Sequence, residues 1–220
     1  MYVAKDLIDF DIPALKPNDT GLTALSWMDE YKVSHLPVVD GEIYHGIVSD
    51  IDILDHHLPE EKLSTLQNSL IRPIITEGDH IYQVIKQISL LKLSLIPVVD
   101  VDEKFIGIIT LHDLAKKLAT MASIDEPGGI IVLEMTQHDY SLAQIAQIVE
   151  SNDARILSSN VTSSDSTHLE VTLKINVQEL SAIIQTFNRY GYNIKASIFN
   201  SQFADDVKQR YGYLMNYLNL

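Results

Sequence analysis

The sequence predicts an α/β (α+β) chain with three parts: a tandem pair of strand–helix–strand–strand–helix units, a ferredoxin-like βαββαβ unit, and one more helix. Two observations carry the first part. His35-Leu36-Pro37-Val38-Val39-Asp40 and Leu95-Ile96-Pro97-Val98-Val99-Asp100 are near copies 60 residues apart. Each is followed by a Gly-led apolar run and a short polar motif, Gly46-Ile47-Val48-Ser49-Asp50-Ile51-Asp52 and then Gly107-Ile108-Ile109-Thr110-Leu111-His112-Asp113. Upstream, Pro13 matches Pro73 and Asp19 matches Asp79, so the register holds along the whole unit. An internal repeat decides architecture, and two copies favour a closed pair over a solenoid. A third observation, the change of pattern after Gly129, sets off the rest of the chain.

In the first copy Asp19-Thr20 supplies a helix cap, since a side-chain oxygen there accepts a free N–H of the first turn. The helix shows Leu22, Leu25, Trp27-Met28 and Tyr31 as its apolar face. Pro37-Val38-Val39 is a short buried strand, Gly41 turns the chain into Ile43 to Ser49, and a helix starts near Asp50. The second copy has a helix from Asp79 through Ile81, Val84-Ile85, Ile88 and Leu91. Strands at Leu95–Val99 and Phe105–Thr110 follow, then a helix to about Met121. The copies span 1–60 and 61–121. Neither can cover its own sheet, so they are expected to pack face to face.

Residues 122–129 contain Asp125, Pro127, Gly128 and Gly129 and read as a linker. Residues 130–200 then give a strand at Ile130–Thr136, a helix at Ser141–Glu150, and a hairpin of Arg155–Thr162 with His168–Ile175. A helix at Val177–Tyr190 and a strand at Asn193–Phe199 complete it. Residues 201–220 are expected to be helical from about Phe203 to Leu218. There Val207, Tyr211, Leu214 and Leu218 form an apolar stripe that covers either the chain's own sheet or a second subunit. If the stripe covers a second subunit a homodimer is expected, two-fold symmetry being the default for soluble oligomers.

Composition narrows the function. With 46% hydrophobic and 21% charged residues, the chain can bury a core. A net charge of −14 argues against nucleic acid, whose affinity comes from Lys and Arg on phosphates, and against an anionic membrane surface. The best apolar run, Ser89 to Val99, is broken by Lys92 and Pro97 and falls short of the ~18 residues of a spanning helix. Met1 to Asp11 lacks a signal-peptide pattern, and the absence of cysteine excludes thiolate and disulfide chemistry. A cytoplasmic protein is expected. The charge is uneven: −9 over residues 1–60, −1 over 61–125 and −4 over 126–220.

The repeated Pro-Val-Val-Asp strand with its Gly-led partner and [Ser/Thr]-x-x-Asp motif resembles the cystathionine beta-synthase (CBS) domain family, over about residues 1–121. The βαββαβ unit resembles an ACT-type regulatory domain. The combination is similar to acetoin-utilisation-type CBS proteins. The resemblance implies a regulatory protein, not an enzyme, that binds an adenosine nucleotide of the AMP/ADP/ATP class between the copies and acts on a regulated partner. It also implies roles for residues. Ser49 and Thr110 would reach phosphate and Asp52 and Asp113 the ribose hydroxyls, while Leu36-Pro37 and Ile96-Pro97 would border the adenine. The chemistry is sound, because a carboxylate accepts two hydroxyl donors and apolar residues sandwich a base.

The residue before the motif Asp is often basic in that family. Here it is Ile51 in the first copy and His112 in the second. The first motif adds Asp50 and lies in the −9 segment, so phosphate is expected at the second site before the first. A plainer reading stays open, in which Asp52 and Asp113 only cap the helices that follow. Asp55-His56-His57 with Asp52 is a weak metal set, lacking the dispersed carboxylates of a two-metal site. Pro127-Gly128-Gly129 is no phosphate loop, since no Gly-Lys-Ser/Thr follows. The loop Gln137-His138-Asp139-Tyr140 has no glycine and a bulky tyrosine, which favours packing over amino-acid binding. No nucleophile, base and orienter stand together, and no cofactor is implied. The alternatives to nucleotide sensing are a ligand-free interaction module and a small-molecule sensor working through the tail unit.

Overall fold

The computed structural model describes residues 2–55, 59–66, 68–163 and 165–198. Two units are seen, Met1–Lys117 and Leu118–Leu220. The proposed helix at 203–218, Phe199, and the pair His56 and His57 lie outside the described residues.

In the first unit, Thr20 accepts the Thr23 N–H and opens α1 (Gly21–Tyr31), and Lys32 closes it in the left-handed conformation. The strands β1 (His35–Asp40) and β2 (Ile43–Ser49) pair antiparallel, and α2 (Asp50–Asp55) follows directly. The second copy repeats the plan with β3 (Ile75–Thr76), α3 (Ile81–Leu91), β4 (Leu95–Val99), β5 (Phe105–Thr110) and α4 (Leu111–Met121). His80 caps α3 through its ring, and Lys92 ends it as Lys32 ends α1. The leading strand of each copy is vestigial. In the second copy it is the two residues of β3, parallel to β4; in the first it is a single bridge from Leu15 to Val38.

The face of α1 differs from expectation. Gly21, Ala24 and Met28 are buried, whereas Leu22 is exposed. The cause is Pro59, whose carbonyl accepts the Leu22 N–H and whose backbone sits where a Cβ on Gly21 would be. On α3 the expected stripe holds at Ile81, Val84 and Ile88, and Leu91 is exposed.

The two copies are joined by exchange. Asp9, in the leading segment of the first copy, bridges to Ile108 on β5, and Ile71, in the leading segment of the second, bridges to Ile47 on β2. Val3 likewise bridges to His80 at the start of α3, and Lys62 to Thr20 at the start of α1. Glycine is required where these segments cross. A Cβ on Gly46 would meet the Leu70 side chain and the Ile71 carbonyl, and one on Gly107 would collide with Ile8. A shared apolar cluster results: Leu15, Leu36, Val38, Val48 and Ile53 of the first copy pack with Leu95 and Ile108 of the second.

The second unit has β6 (Gly129–Thr136), α5 (Leu142–Glu150), β7 (Ile156–Ser163), β8 (His168–Ile175), α6 (Ser181–Arg189) and β9 (Asn193–Ile198). Its antiparallel sheet runs β7-β8-β6-β9, the ferredoxin-like order. Strict alternation along β6 and β8 turns Ile131, Leu133, Leu169, Val171 and Leu173 inward onto Ile145, Ile148, Ile183 and Phe187 of the helices. The helix α6 begins at Ser181, four residues after the expected Val177. Val177 is held by a sheet bond from the Gly129 N–H to its carbonyl, and Glu179 caps the Ser181 N–H.

Candidate functional site

Each copy ends its last strand in a hydroxyl that closes on the carboxylate three residues later. In the first, the Ser49 N–H and Oγ–H donate to Asp52 Oδ2 at 2.9 and 2.7 Å, and the Asp52 N–H donates back to Ser49 Oγ at 3.1 Å. In the second, Thr110 Oγ1 donates to Asp113 Oδ2 at 2.5 Å, and the Asp113 N–H donates to Thr110 Oγ1 at 3.0 Å. These are reciprocal caps of the kind that satisfy free donors at a helix start. Thr110 is buried and Ser49 half-buried.

The boxes differ in electrostatics. Lys116 Nζ stands 3.7 Å from Asp113 Oδ1, one turn along α4. Beside Asp52 lies Asp50, whose own Oδ1 accepts the Ile51 N–H. Exchange alters the charge near each copy, however. It carries Asp9 to β5 of the second, and Ile71-Arg72 to β2 of the first. The Arg72 guanidinium donates to the Tyr44 carbonyl at 2.8 Å and lies 5.8 Å from the centre of the Tyr44 ring. Burial pushes the Tyr44 phenol well above its ordinary value, with Arg72 acting in the other sense. Part of each segment's charge is therefore carried by the other copy.

Of the residues expected to meet a base, Leu36 and Ile96 have no exposed surface and Pro37 and Pro97 are buried. Leu36 belongs to the core with Val48 and Ile53. His112 is exposed at the second position of α4. Three neighbours escaped the sequence reading. Lys116 was readable as the i+3 partner of Asp113. His35 sits opposite Ser49 in the β1–β2 register, and Arg72 reaches the first copy only through the exchange.

His35 also marks the seam. Its Nδ1 lies 3.1 Å from Ser94 Oγ and accepts the Ser94 N–H at 3.3 Å, while the Ser34 N–H donates to Ser94 Oγ at 3.0 Å. Burial lowers the His35 pKa, against the raising influence of Asp50 and Asp52.

The second unit repeats the box without the motif: Thr136 Oγ1 donates to Asp139 Oδ2 at 2.7 Å, and the Asp139 N–H donates back at 3.2 Å. A box alone is thus a strand-end device. Beside it opens a cavity of about 590 Å³, lined by Glu134, Asp139, Gln144, Tyr192 and Asn193 among others. Tyr192 Oη donates to Gln144 Oε1 at 2.8 Å, and burial and then Asp139 push its pKa up. Tyr140 packs partly buried against the unit's core. Among the described residues, no cluster of three or more His, Asp or Glu could hold a metal ion. No described helix is long and apolar enough to cross a membrane.

Two Gly-led hairpins, each closed by a hydroxyl–carboxylate box and interlocked by exchange, define a tandem two-copy module. The CBS domain family matches residues 4–58 and 71–120, and the chain carries a tandem pair of CBS domains. An inosine-5'-monophosphate dehydrogenase of Methanocaldococcus jannaschii is 26% identical over 145 residues, 64% of this chain. The chain spans 29% of that protein's length. A solved CBS domain pair/ACT domain protein from Thermotoga maritima is 23% identical, covering 54% of this chain and 97% of that one at a TM-score of 0.46. CBSX2, solved in complex with AMP, is 25% identical and covers 55% of this chain and 98% of that one at a TM-score of 0.44.

Proposed function

We propose that the CBS pair is a non-catalytic regulatory module that binds an adenosine nucleotide. The supporting observation is that two equivalent hydroxyl–carboxylate boxes, Ser49–Asp52 and Thr110–Asp113, recur within the two family-matched segments. In this reading Thr110 and Ser49 face phosphate, Asp113 and Asp52 take ribose hydroxyls, and Leu36-Pro37 and Ile96-Pro97 back the base-binding surface. Lys116 and His112 make the second box the better anion site. The second unit is read as an ACT-type domain on its β7-β8-β6-β9 order, and the protein as a cytoplasmic homodimer acting on a regulated partner.

A ligand-free interaction module is the second reading, favoured by the recurrence of the same box at Thr136–Asp139. Thermal denaturation with AMP, ADP, ATP and a panel of amino acids separates the two. A ligand at 100 times its dissociation constant adds ~2.7 kcal/mol of stability. A saturating rise with a nucleotide supports the first reading. No shift at millimolar nucleotide leaves the second, and a rise with an amino acid alone moves the sensing to the tail unit.

A further inference from the structure

We propose that His35 is a proton-operated latch between the two repeats, and that its release tightens the first repeat's hold on an anionic ligand. The coupling to a ligand rests on the nucleotide reading; the latch rests on the seam itself.

The geometry specifies a protonation state. The Ser94 N–H points at His35 Nδ1, so that nitrogen must carry a lone pair and the ring proton must sit on Nε2. Ser94 Oγ accepts from the Ser34 N–H, which leaves its own proton to point at the same Nδ1. The neutral ring thus accepts from one residue 59 positions away and ties the start of β1 to the residue that leads into β4. A proton on Nδ1 would leave the Ser94 N–H without its acceptor and reverse the hydroxyl bond. Burial opposes the charged ring as well. Among the described residues, the charged groups that act on the ring are Asp50 and Asp52, both at the start of α2, and both favour the charged form. The β4 side contributes the uncharged Ser94.

The same ring belongs to the first motif. His35 and Ser49 are directly opposed in the antiparallel pair, so their side chains leave the same face with Cβ atoms about 5 Å apart. At the equivalent place the second repeat pairs Leu95 with Thr110, and Leu95 is fully buried. Only the first motif therefore has a titratable ring on the strand opposite its hydroxyl, the second motif's His112 lying on α4 instead. An anion held by Ser49 would stabilise the imidazolium. Ligand binding and proton uptake would then each favour the other.

The sign for stability follows. The folded-state pKa lies below the ordinary 6.5, so the unfolded chain binds more protons just under that value. The stability His35 contributes is present above pH 6.5 and is lost as pH falls toward the folded-state value.

The test uses the full chain with Asp113→Ala to silence the second box, alone and with His35→Gln. Glutamine keeps an acceptor for the Ser94 N–H but cannot titrate, and His35→Leu serves as a second variant. The probe is ATP, whose own titration is common to all three proteins. From pH 7.5 to 6.0 the affinity with His35 should rise about threefold or more relative to His35→Gln, one linked proton allowing at most tenfold per unit. By NMR the His35 ring should titrate below 6.5 in the free protein and move up with ATP. Identical pH slopes in the two proteins overturn the coupling. A free-protein titration at or above 6.5 overturns the latch. ATP that binds no variant at any pH takes down both the nucleotide reading and the coupling.

Discussion

Asp113 holds two positions at once: it caps α4 through Thr110 and stands against Lys116. Asp113→Ala should cost about 1 kcal/mol of stability as a lost cap. It should also cost roughly 1.5–3 kcal/mol of nucleotide affinity as a lost hydrogen bond to a charged group. Asp52→Ala should show a similar stability loss with a smaller affinity loss, and paired denaturation and calorimetry read both. Equal affinity losses at the two positions would remove the preference for the second box. These side chains were legible in the sequence because hydroxyl, acid and glycine keep a fixed local spacing. His35 was not, since its partners on Ser94 are defined only once two distant strands are brought side by side. Asp165 gives a separate test by acid. Its Oδ1 accepts the Thr167 N–H, the Thr167 hydroxyl and the His168 N–H, which hold its carboxyl well below the usual carboxylate range. A depressed folded-state pKa means stability that is present above about pH 4 and lost on acidification. Asp165→Asn should therefore flatten the acid limb of the stability curve, and an unchanged limb would contradict this.

Among the elements, β2, β4, β5 and β8 match their expected bounds and α4 its expected end, because each is set by local chemistry: turn residues, alternation and a capping box. The failures share a cause in tertiary packing. The exposed Leu22 and buried Gly21 and Ala24 reflect a chain segment crossing α1 that no periodicity announces. The late start of α6 reflects a strand-like bond at Val177. Crossing segments also explain the glycines of β2 and β5. Gly46→Ala should destabilise the protein by about 2 kcal/mol, in the range for overpacking a filled site, because its new methyl meets the Ile71 carbonyl as well as Leu70. Gly78→Ala, with nothing within 4 Å, is the matched control. Equal melting temperatures for the two variants would show that the crossing yields at little cost.

At the scale of the molecule, the pair is two interlocked halves. Val3 and Asp9 join the second repeat at His80 and Ile108, and Lys62 and Ile71 join the first at Thr20 and Ile47. Deleting residues 2–11 should thus raise amide exchange on β5 and at the start of α3 more than on β1 and β2. The reverse pattern, read by exchange mass spectrometry, would contradict the exchange of segments. Ranking the two motifs by segment charge missed this, because Asp9 and Arg72 each sit with the other repeat.

The interlock also sets an order in time. Asp9 leaves the ribosome 99 residues before its partner Ile108. At roughly 5–20 residues per second that is about 5–20 s during which the first segment has no strand to join. Ile71 follows Ile47 by only 24 residues, so the first repeat can complete its side of the interlock early. Residues 3–9 are made before the rest of the pair yet are among its last to find their place, and a nascent chain stalled before β5 should keep them open to protease.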